Sequence, residues 1–194
     1  MYFKALLSFV VAVFAAASVH AKVCGDNEKN VFESKPLTLP SGEVITMERF
    51  TCSNSSERRS PAPVAAVEKR HSFEVNMTPR ASSECTASNC QCGIPCVFKG
   101  CRPVTQTIQA VHCQLLASQL QNTPGTFTIP ANEGVGFILQ SCEYTVFVNS
   151  ATLSAQYCFD DLGVAAAELF AVCGTQQADC EGSNGGFFVD QISL

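Results

Sequence analysis

The sequence contains no tryptophan and only three histidines among its 194 residues. Without tryptophan, a surface that stacks against a sugar must use tyrosine or phenylalanine instead. His20 precedes the predicted cleavage point described below, and His71 lies in a polar stretch, which leaves His112 within the cysteine-rich half. His112 adjoins Cys113, which we expect to be oxidised and therefore not nucleophilic, so catalysis by a Ser-His-Asp or Cys-His arrangement is disfavoured.

Basic residues are scarce in the second half of the chain. Residues 81–194 contain only Lys99 and Arg102, against nine acidic residues. Nucleic acids and anionic membranes attract a clustered positive face, which this half lacks, so we expect no nucleic-acid partner. The sequence also lacks a Gly-rich phosphate loop, a His-Glu-x-x-His motif and a Gly-x-Ser-x-Gly motif. These absences favour a protein that is not an enzyme, with no catalytic residue, cofactor or metal.

One long apolar run is present, at the N-terminus. Lys4 is followed by a nearly continuous apolar stretch from Ala5 to Val19, and small residues stand at Val19 and Ala21. The run is shorter than the roughly 20 residues that span a bilayer. A basic start, a short apolar run and small residues predict a signal peptide over 1–21, cleaved after Ala21, and hence a secreted, extracellular protein rather than an integral membrane protein.

Twelve cysteines are read as disulfides because the chain is predicted to be secreted. The spacing from Cys90 to Cys101 resembles a zinc knuckle, but zinc ligation is the expectation for a cytosolic chain. The pairing is not readable from the sequence. We expect all twelve to form bridges: Cys24, Cys52, Cys85, Cys90, Cys92, Cys96, Cys101, Cys113, Cys142, Cys158, Cys173 and Cys180.

The cysteines fall into two even sets separated by a polar linker. Cys24 and Cys52 form a candidate local pair, and ten further cysteines lie between Cys85 and Leu194. Residues 53–63 are polar and proline-containing, a composition typical of a linker. Residues 22–70 are interpreted as a propeptide-like or flexible region, 71–84 as a linker and 85–194 as an independent cysteine-rich domain.

Two kinds of modification are predicted in this front region. Lys69-Arg70 is a dibasic pair that resembles a kexin processing site, whose alternative reading is a chance pair in a solvated linker. Asn54 and Asn76 stand in sequons for glycosylation. A short hairpin is predicted near residues 44–51, after the Ser41-Gly42 turn, within an otherwise poorly ordered N-terminal arm.

Hydrophobic periodicity predicts the fold of the second half. Apolar residues recur at helical intervals over 107–120 and again from Asp160 to Cys173. Short β-branched and aromatic runs predict strands over 126–130, 135–139, 144–148 and 187–194. The order αβββαβ predicts a small, disulfide-stapled α+β sandwich, with two helices on an antiparallel sheet of about four strands, preceded by a cysteine-rich loop region.

Parity also constrains the bridges within the cysteine-rich half. Five cysteines precede Val104 and five follow it. At least one bridge must therefore join the early loop region to the α/β part if all ten pair. We expect that bridge to hold the first helix against the preceding loops.

Acidic residues provide the alternative of an extracellular hydrolase. The candidates are Asp160, Asp161, Glu168, Asp179 and Glu181. Adjacent Asp160 and Asp161 diverge around a helix, which is poor geometry for two carboxyls acting on one sugar. Two carboxyls about 5–10 Å apart in a common cleft would favour a hydrolase.

Several short motifs recur through the cysteine-rich half: Cys92-Gly-Ile-Pro-Cys96, His112-Cys-Gln-Leu-Leu116, Pro124-Gly-Thr-Phe-Thr-Ile129, Ser141-Cys-Glu-Tyr144 and Tyr157-Cys-Phe-Asp-Asp-Leu162. With these motifs, this half resembles small secreted cysteine-rich proteins of mushroom-forming fungi. The chain also partly resembles the necrosis-inducing, killer-toxin-like effector family, although His112 stands where an acidic residue is expected. Its ending partly resembles the mushroom glycan-binding protein family, although no closing cysteine is present.

These resemblances imply a secreted effector or toxin-like binding protein, with an extracellular glycan, a membrane component or a foreign protein as its partner. The aromatic residues Tyr144, Tyr157, Phe187 and Phe188 are the candidate glycan contacts, with a place in the core as the alternative. A structural cell-wall or matrix protein with no specific ligand is a third hypothesis.

Overall fold

The computed structural model describes residues 29–52, 74–75, 84–104, 106–148, 150 and 152–194. Several predicted features lie outside these residues: the signal peptide with Ala21, Cys24, the sequons at Asn54 and Asn76, and the Lys69-Arg70 pair.

Two helices form where the apolar periodicity predicts them. Helix α1 spans Ala110–Gln121 and buries Cys113, Leu116, Ala117 and Leu120. Helix α2 spans Phe159–Cys173 and buries an apolar stripe that includes Leu162, Ala165, Ala166 and Leu169. The two helices pack closely, because Gly163 has no side chain where α2 meets the backbone of Gln121. Within the described residues, neither helix has the length and apolar character needed to cross a bilayer.

The strands number more than the four expected. They are β1 Lys29–Thr38, β2 Val44–Cys52, β3 Glu74–Val75, β4 Cys96–Arg102, β5 Thr126–Ile129, β6 Gly134–Leu139, β7 Cys142–Val148, β8 Ala155–Cys158, β9 Gln177–Gly182 and β10 Phe187–Ser193. Eight form one sheet in the order β1-β2-β6-β7-β10-β9-β4-β3, and β5 pairs with β8 in a second. All of these pairings are antiparallel, which confirms the α+β class.

Strand alternation gives the large sheet two chemically different faces. On β7 and β10, Tyr144, Val146 and Val189 belong to the same buried cluster as the apolar residues of both helices. Successive side chains on a strand point to opposite faces. Glu143, Thr145, Asp179 and Asp190 therefore lie on the other face, which we call the polar face. The hydrophobic core lies between the sheet and the helices, and the polar face turns away from it.

The interpretation of a poorly ordered arm is wrong for residues 29–52. β1 and β2 form a long hairpin, and β2 pairs with β6 of the main sheet. Leu39 and Ile45 of this hairpin are buried in the common core cluster. The pattern over residues 44–51 was assigned to a short hairpin of its own, whereas these residues lie in the single strand β2, whose partners β1 and β6 come from other parts of the chain.

Ten cysteines of the C-terminal half form five disulfides among themselves. The bridges are Cys85–Cys90, Cys92–Cys158, Cys96–Cys180, Cys101–Cys173 and Cys113–Cys142. Three of them join the early loop region to the α/β part, which confirms the parity argument. They reach β8, α2 and β9 rather than α1, however, because α1 is tied instead to β7. Cys52 is also disulfide-bonded, and its predicted partner Cys24 lies outside the described residues.

Candidate functional site

The four aromatic residues predicted to contact a glycan are buried. Tyr144, Tyr157 and Phe187 have no exposed surface, and Phe188 is 6% exposed. The rings of Tyr157 and Phe187 pack against each other with centroids 4.7 Å apart. A stacking platform must present a ring face to solvent, so these residues do not form one. Tyr144, Tyr157 and Phe187 serve the alternative role that the sequence allowed, as part of the core cluster, whereas Phe188 is buried on the polar face.

The two tyrosine hydroxyls differ in their surroundings. Tyr144 donates a hydrogen bond to Oε1 of Gln191 at 3.0 Å, and Gln191 donates in turn to the backbone oxygen of Gly174. The hydroxyl of Tyr157 is buried without a hydrogen-bond partner among the described residues. Burial raises the pKa of both tyrosines, and Asp161 and Asp160 raise that of Tyr157 further.

The polar face brings two carboxyl groups together on neighbouring strands. Asp190 of β10 lies directly opposite Asp179 of β9, and its other neighbour is Thr145 of β7. Residues opposite each other on antiparallel strands have Cβ atoms about 4.5–5.5 Å apart. The Asp190 side chain is only 6% exposed, whereas that of Asp179 is 16% exposed. The pair thus combines a buried carboxyl with a more accessible one.

Arg102 completes this cluster from the adjacent strand β4. Its guanidinium nitrogen lies 3.4 Å from Oδ1 of Asp179 and 3.5 Å from Oδ1 of Asp190. The preceding residue, Cys101, is bonded to Cys173 of α2, so alternation turns Arg102 to the polar face. Nearby, Lys99 forms an ion pair with Glu181 at 2.6 Å. We call Arg102, Asp179 and Asp190 the carboxylate–arginine cluster.

Burial is the main influence on the pKa values of the two carboxyl groups in this cluster. It raises the pKa of Asp190 to about 8, and the neighbouring charges of Asp179 and Glu143 add to the increase, while Arg102 opposes it. Burial also raises the pKa of Asp179, although Arg102 and Lys99 oppose the shift. The arginine is 44% exposed, so its charge is partly screened by water and offsets only part of the desolvation cost. The shift therefore favours the protonated form of Asp190 at neutral pH.

A second charged group lies on the polar face nearer to β2. Lys29 contacts Oε1 of Glu143 at 2.5 Å and Oε2 of Glu48 at 2.9 Å. Glu143 is 1% exposed, and its carboxylate lies over Gly136, where a Cβ would come within 2.0 Å of Oε1. A glycine is therefore required beneath this buried ion pair.

The other acidic candidates do not assemble into one site. Asp161 is buried at the start of α2 and accepts a hydrogen bond from the backbone nitrogen of Gly93 at 2.6 Å. Burial raises its pKa to about 6. Glu168 is exposed on α2, and Asp160 is half-buried. Carboxylate oxygens of Asp160 and Asp161 lie within 4.8 Å of each other, so the expectation that these two side chains diverge is wrong. Asp179 lies beside a different carboxyl, that of Asp190, which was not a candidate.

His112 has a partner that the sequence did not reveal. Its Nδ1 lies 2.9 Å from Oγ of Ser141, which also accepts a hydrogen bond from the backbone nitrogen of Gln109. In the part of the chain that the structure describes, no carboxylate is hydrogen-bonded to His112. The third member of a catalytic triad is thus missing there.

Two groups of possible metal ligands occur in the described residues, and both depend on disulfide sulfurs. The first comprises Cys85, Cys92 and Cys158, and the second comprises Cys158, Asp160 and Asp161. Zinc is bound by the thiolate form of cysteine, which a disulfide does not provide. The carboxylate–arginine cluster is accordingly the candidate site: it offers one protonated carboxyl, one second carboxyl and a guanidinium fork that can hydrogen-bond a polar ligand.

Comparison with protein-family models, with curated proteins and with solved structures gives no match for this chain.

Proposed function

We propose that this chain is a secreted effector or toxin-like binding protein that recognises an extracellular glycan through the carboxylate–arginine cluster. The disulfide-rich fold fits a small secreted extracellular protein. The resemblance to secreted fungal proteins supports the effector or toxin-like role. The choice of a glycan rests on the chemistry of the polar face.

The observation that carries the proposal is the convergence of three polar groups from three adjacent strands. Asp179, Asp190 and Arg102 come from β9, β10 and β4. Sugar hydroxyls donate hydrogen bonds to carboxylates and accept them from a guanidinium or a protonated carboxyl. These side chains require no large rearrangement to meet such a ligand, because Cys96–Cys180 and Cys101–Cys173 fix β4 to β9 and α2. Such preorganisation reduces the entropy lost on binding.

Recognition in this proposal depends on hydrogen bonding rather than on ring stacking. Phe188 is the one predicted aromatic contact that shares the polar face with Asp190, and it is buried. Binding should consequently be sensitive to single polar substitutions. It should also weaken when pH rises above about 8, because Asp190 then loses its proton and can no longer donate.

The proposal is tested by glycan-array binding of the secreted protein and two variants. Arg102→Gln and Asp190→Asn remove members of the cluster while retaining polar side chains. Arg49→Gln is the matched control, because Arg49 also bonds two carboxylates, those of Glu33 and Glu133, elsewhere on the sheet. We expect binding by the unsubstituted protein and by Arg49→Gln, with at least a tenfold loss in the other two.

Two outcomes would contradict this proposal. Equal binding by all variants would mean that the glycan binds outside the carboxylate–arginine cluster. If the protein binds no glycan, a glycan is excluded as its partner. The same variants would then be tested for binding to lipid vesicles and to surface proteins of target cells, the other two partner classes.

An acid-dependent hydrolase is the second candidate, and the Asp179–Asp190 pair favours it specifically. Glycosidases use two carboxyls, one of which holds a proton through a raised pKa while the other is ionised. Mass spectrometry of oligosaccharides incubated with the protein distinguishes the two functions. A hydrolase releases products, and Asp179→Asn and Asp190→Asn both abolish them, whereas a binding protein leaves the oligosaccharides intact.

A further inference from the structure

The hairpin β1–β2 is held to the rest of the domain through an edge of β6. β2 runs antiparallel to β6, in a register that extends from the pair Thr46↔Ile138 to the pair Phe50↔Gly134. Backbone hydrogen bonds along this register satisfy polar groups that β6 would otherwise expose at an edge. The hairpin therefore acts as the partner strand of β6.

Apolar side chains of the hairpin are also inserted into the domain. Leu39 and Ile45 are 3% and 2% exposed and belong to the same core cluster as β6 residues Val135 and Phe137. The ring of Phe50 lies over Gly134, where a Cβ would come within 2.3 Å of Cζ. Burial of these groups stabilises the contact in proportion to the apolar area removed from water.

Two ion pairs cross the same interface. Lys29 of β1 contacts the buried carboxylate of Glu143 on β7, and Arg49 of β2 contacts Glu133 at 2.6 Å. Withdrawal of the hairpin would separate the Lys29 ammonium from the Glu143 carboxylate, and breaking such a poorly hydrated ion pair is unfavourable. Charge thus opposes release in addition to apolar burial.

No disulfide adds a covalent link across this interface. The ten cysteines from Cys85 to Cys180 pair among themselves, so the disulfide of Cys52 does not involve any of them. The only covalent connection between the hairpin and residues 84–194 is therefore the chain that runs between them. That connecting chain includes the predicted Lys69-Arg70 processing site.

We infer that the β1–β2 hairpin is a permanent, non-covalently bound part of the extracellular domain and stays attached when the connecting chain is cut. Processing at Lys69-Arg70 then yields a two-chain protein rather than the release of a propeptide. The interaction surface is the β6 edge together with Glu133 and Glu143, and the partner that fits it is this hairpin.

The test inserts a recognition sequence for a site-specific protease between Pro63 and Val64 of the full chain. After complete cleavage, we expect both fragments to elute together in native size-exclusion chromatography. In guanidinium chloride without a reductant, we expect them to separate. Separation of the fragments in native buffer would overturn the inference. The inference would also be overturned if the fragments elute together in denaturant and separate only after a reductant is added.

Paired lysine substitutions test the role of the ion pair in the cut protein. Lys29→Ala removes the contact with Glu143, whereas Lys35→Ala removes an exposed pair with Glu33 that stays within the hairpin. We expect the hairpin to dissociate at least tenfold faster from the Lys29→Ala protein than from the unsubstituted or Lys35→Ala protein. Equal rates would overturn the assigned role of Lys29. If Lys29→Ala does not fold, the elution of the unsubstituted cut protein decides the inference by itself.

Discussion

Asp190 faces Asp179 directly across the β9–β10 pair. The charge of Asp179 opposes the ionisation of Asp190, and the desolvation of Asp190 is the larger effect. Such an arrangement favours a protonated Asp190 in the folded chain and an ionised one in the unfolded chain at neutral pH. This difference links the stability of the domain to pH.

The first prediction is that the domain loses stability as pH rises from about 6 to 8. The folded pKa of Asp190 is raised from its ordinary value of 3.8 to about 8, so within this window only the folded state holds the proton. The free energy of unfolding then falls with pH, by at most about 1.4 kcal/mol per pH unit for one group. Asp161, whose raised pKa is about 6, contributes mainly at lower pH.

Denaturant unfolding at pH 6, 7 and 8 checks this prediction. The side chain in Asp190→Asn cannot ionise, so the free energy of unfolding of this variant should depend less on pH. Glu168→Gln, on the exposed surface of α2, should leave the pH dependence unchanged. If the free energy of unfolding of Asp190→Asn changes with pH as it does in the unsubstituted protein, Asp190 is ionised in the folded protein.

The second prediction concerns the two buried tyrosines. Tyr144→Phe removes the hydrogen bond to Gln191 and should lower the free energy of unfolding by about 1 kcal/mol. Tyr157→Phe removes a hydroxyl that lacks a partner among the described residues, so it should be neutral or stabilising. Urea denaturation of both variants measures the difference, and the reverse order would contradict the hydrogen-bond assignment.

The third prediction is that Gly163→Ala destabilises the protein although it lies within a helix. Glycine to alanine in a helix is ordinarily favourable by up to about 1 kcal/mol. Here the new Cβ would lie 2.1 Å from the backbone nitrogen of Gln121, so the helices must move apart at a cost of about 1–3 kcal/mol. Thermal unfolding compares it with Gly100→Ala, whose Cβ would meet no atom within 4 Å. Similar melting temperatures for the two would contradict the close helix contact.

The fourth prediction ranks two disulfides. Cys96–Cys180 closes a separation of 84 residues and Cys85–Cys90 closes one of 5. In the chain-entropy account, the first contributes about 4–5 kcal/mol and the second about 2 kcal/mol. Denaturation without a reductant should therefore show a larger loss in Cys96→Ala/Cys180→Ala than in Cys85→Ala/Cys90→Ala. A larger loss in the second double variant would show that native contacts, rather than the unfolded chain, determine the contribution.

The sequence predicted the elements whose hydrophobic pattern is local. The second helix was expected over 160–173 and spans Phe159–Cys173, and β6 was expected over 135–139 and spans Gly134–Leu139. Such periodicity depends on which face of one element is buried, so it can be recognised without knowledge of the partner strand. Strands β4 and β9 were missed because they contain few β-branched or aromatic residues: Val97 and Phe98 in β4, and none in β9.

The candidate site could not be recognised from local sequence. Asp190 and Asp179 become neighbours only through the register of β10 against β9, which depends on the whole sheet. One signal was available in the run Phe187-Phe188-Val189-Asp190: a charged residue within a strongly apolar final strand implies burial of an acidic group. The aromatic residues of that strand were instead predicted to contact a glycan, although such residues ordinarily belong to the core.

Helix α2 is anchored at both of its ends. Cys158, which directly precedes its first turn, is bonded to Cys92, and Cys173, its last residue, is bonded to Cys101. If an extracellular protease were to cut the backbone between Cys158 and Cys173, neither end would be free to leave, because the first would still be tied to Cys92 and the second to Cys101 of β4. A single cut inside this helix would therefore not divide the domain into separable fragments until the bridges were reduced.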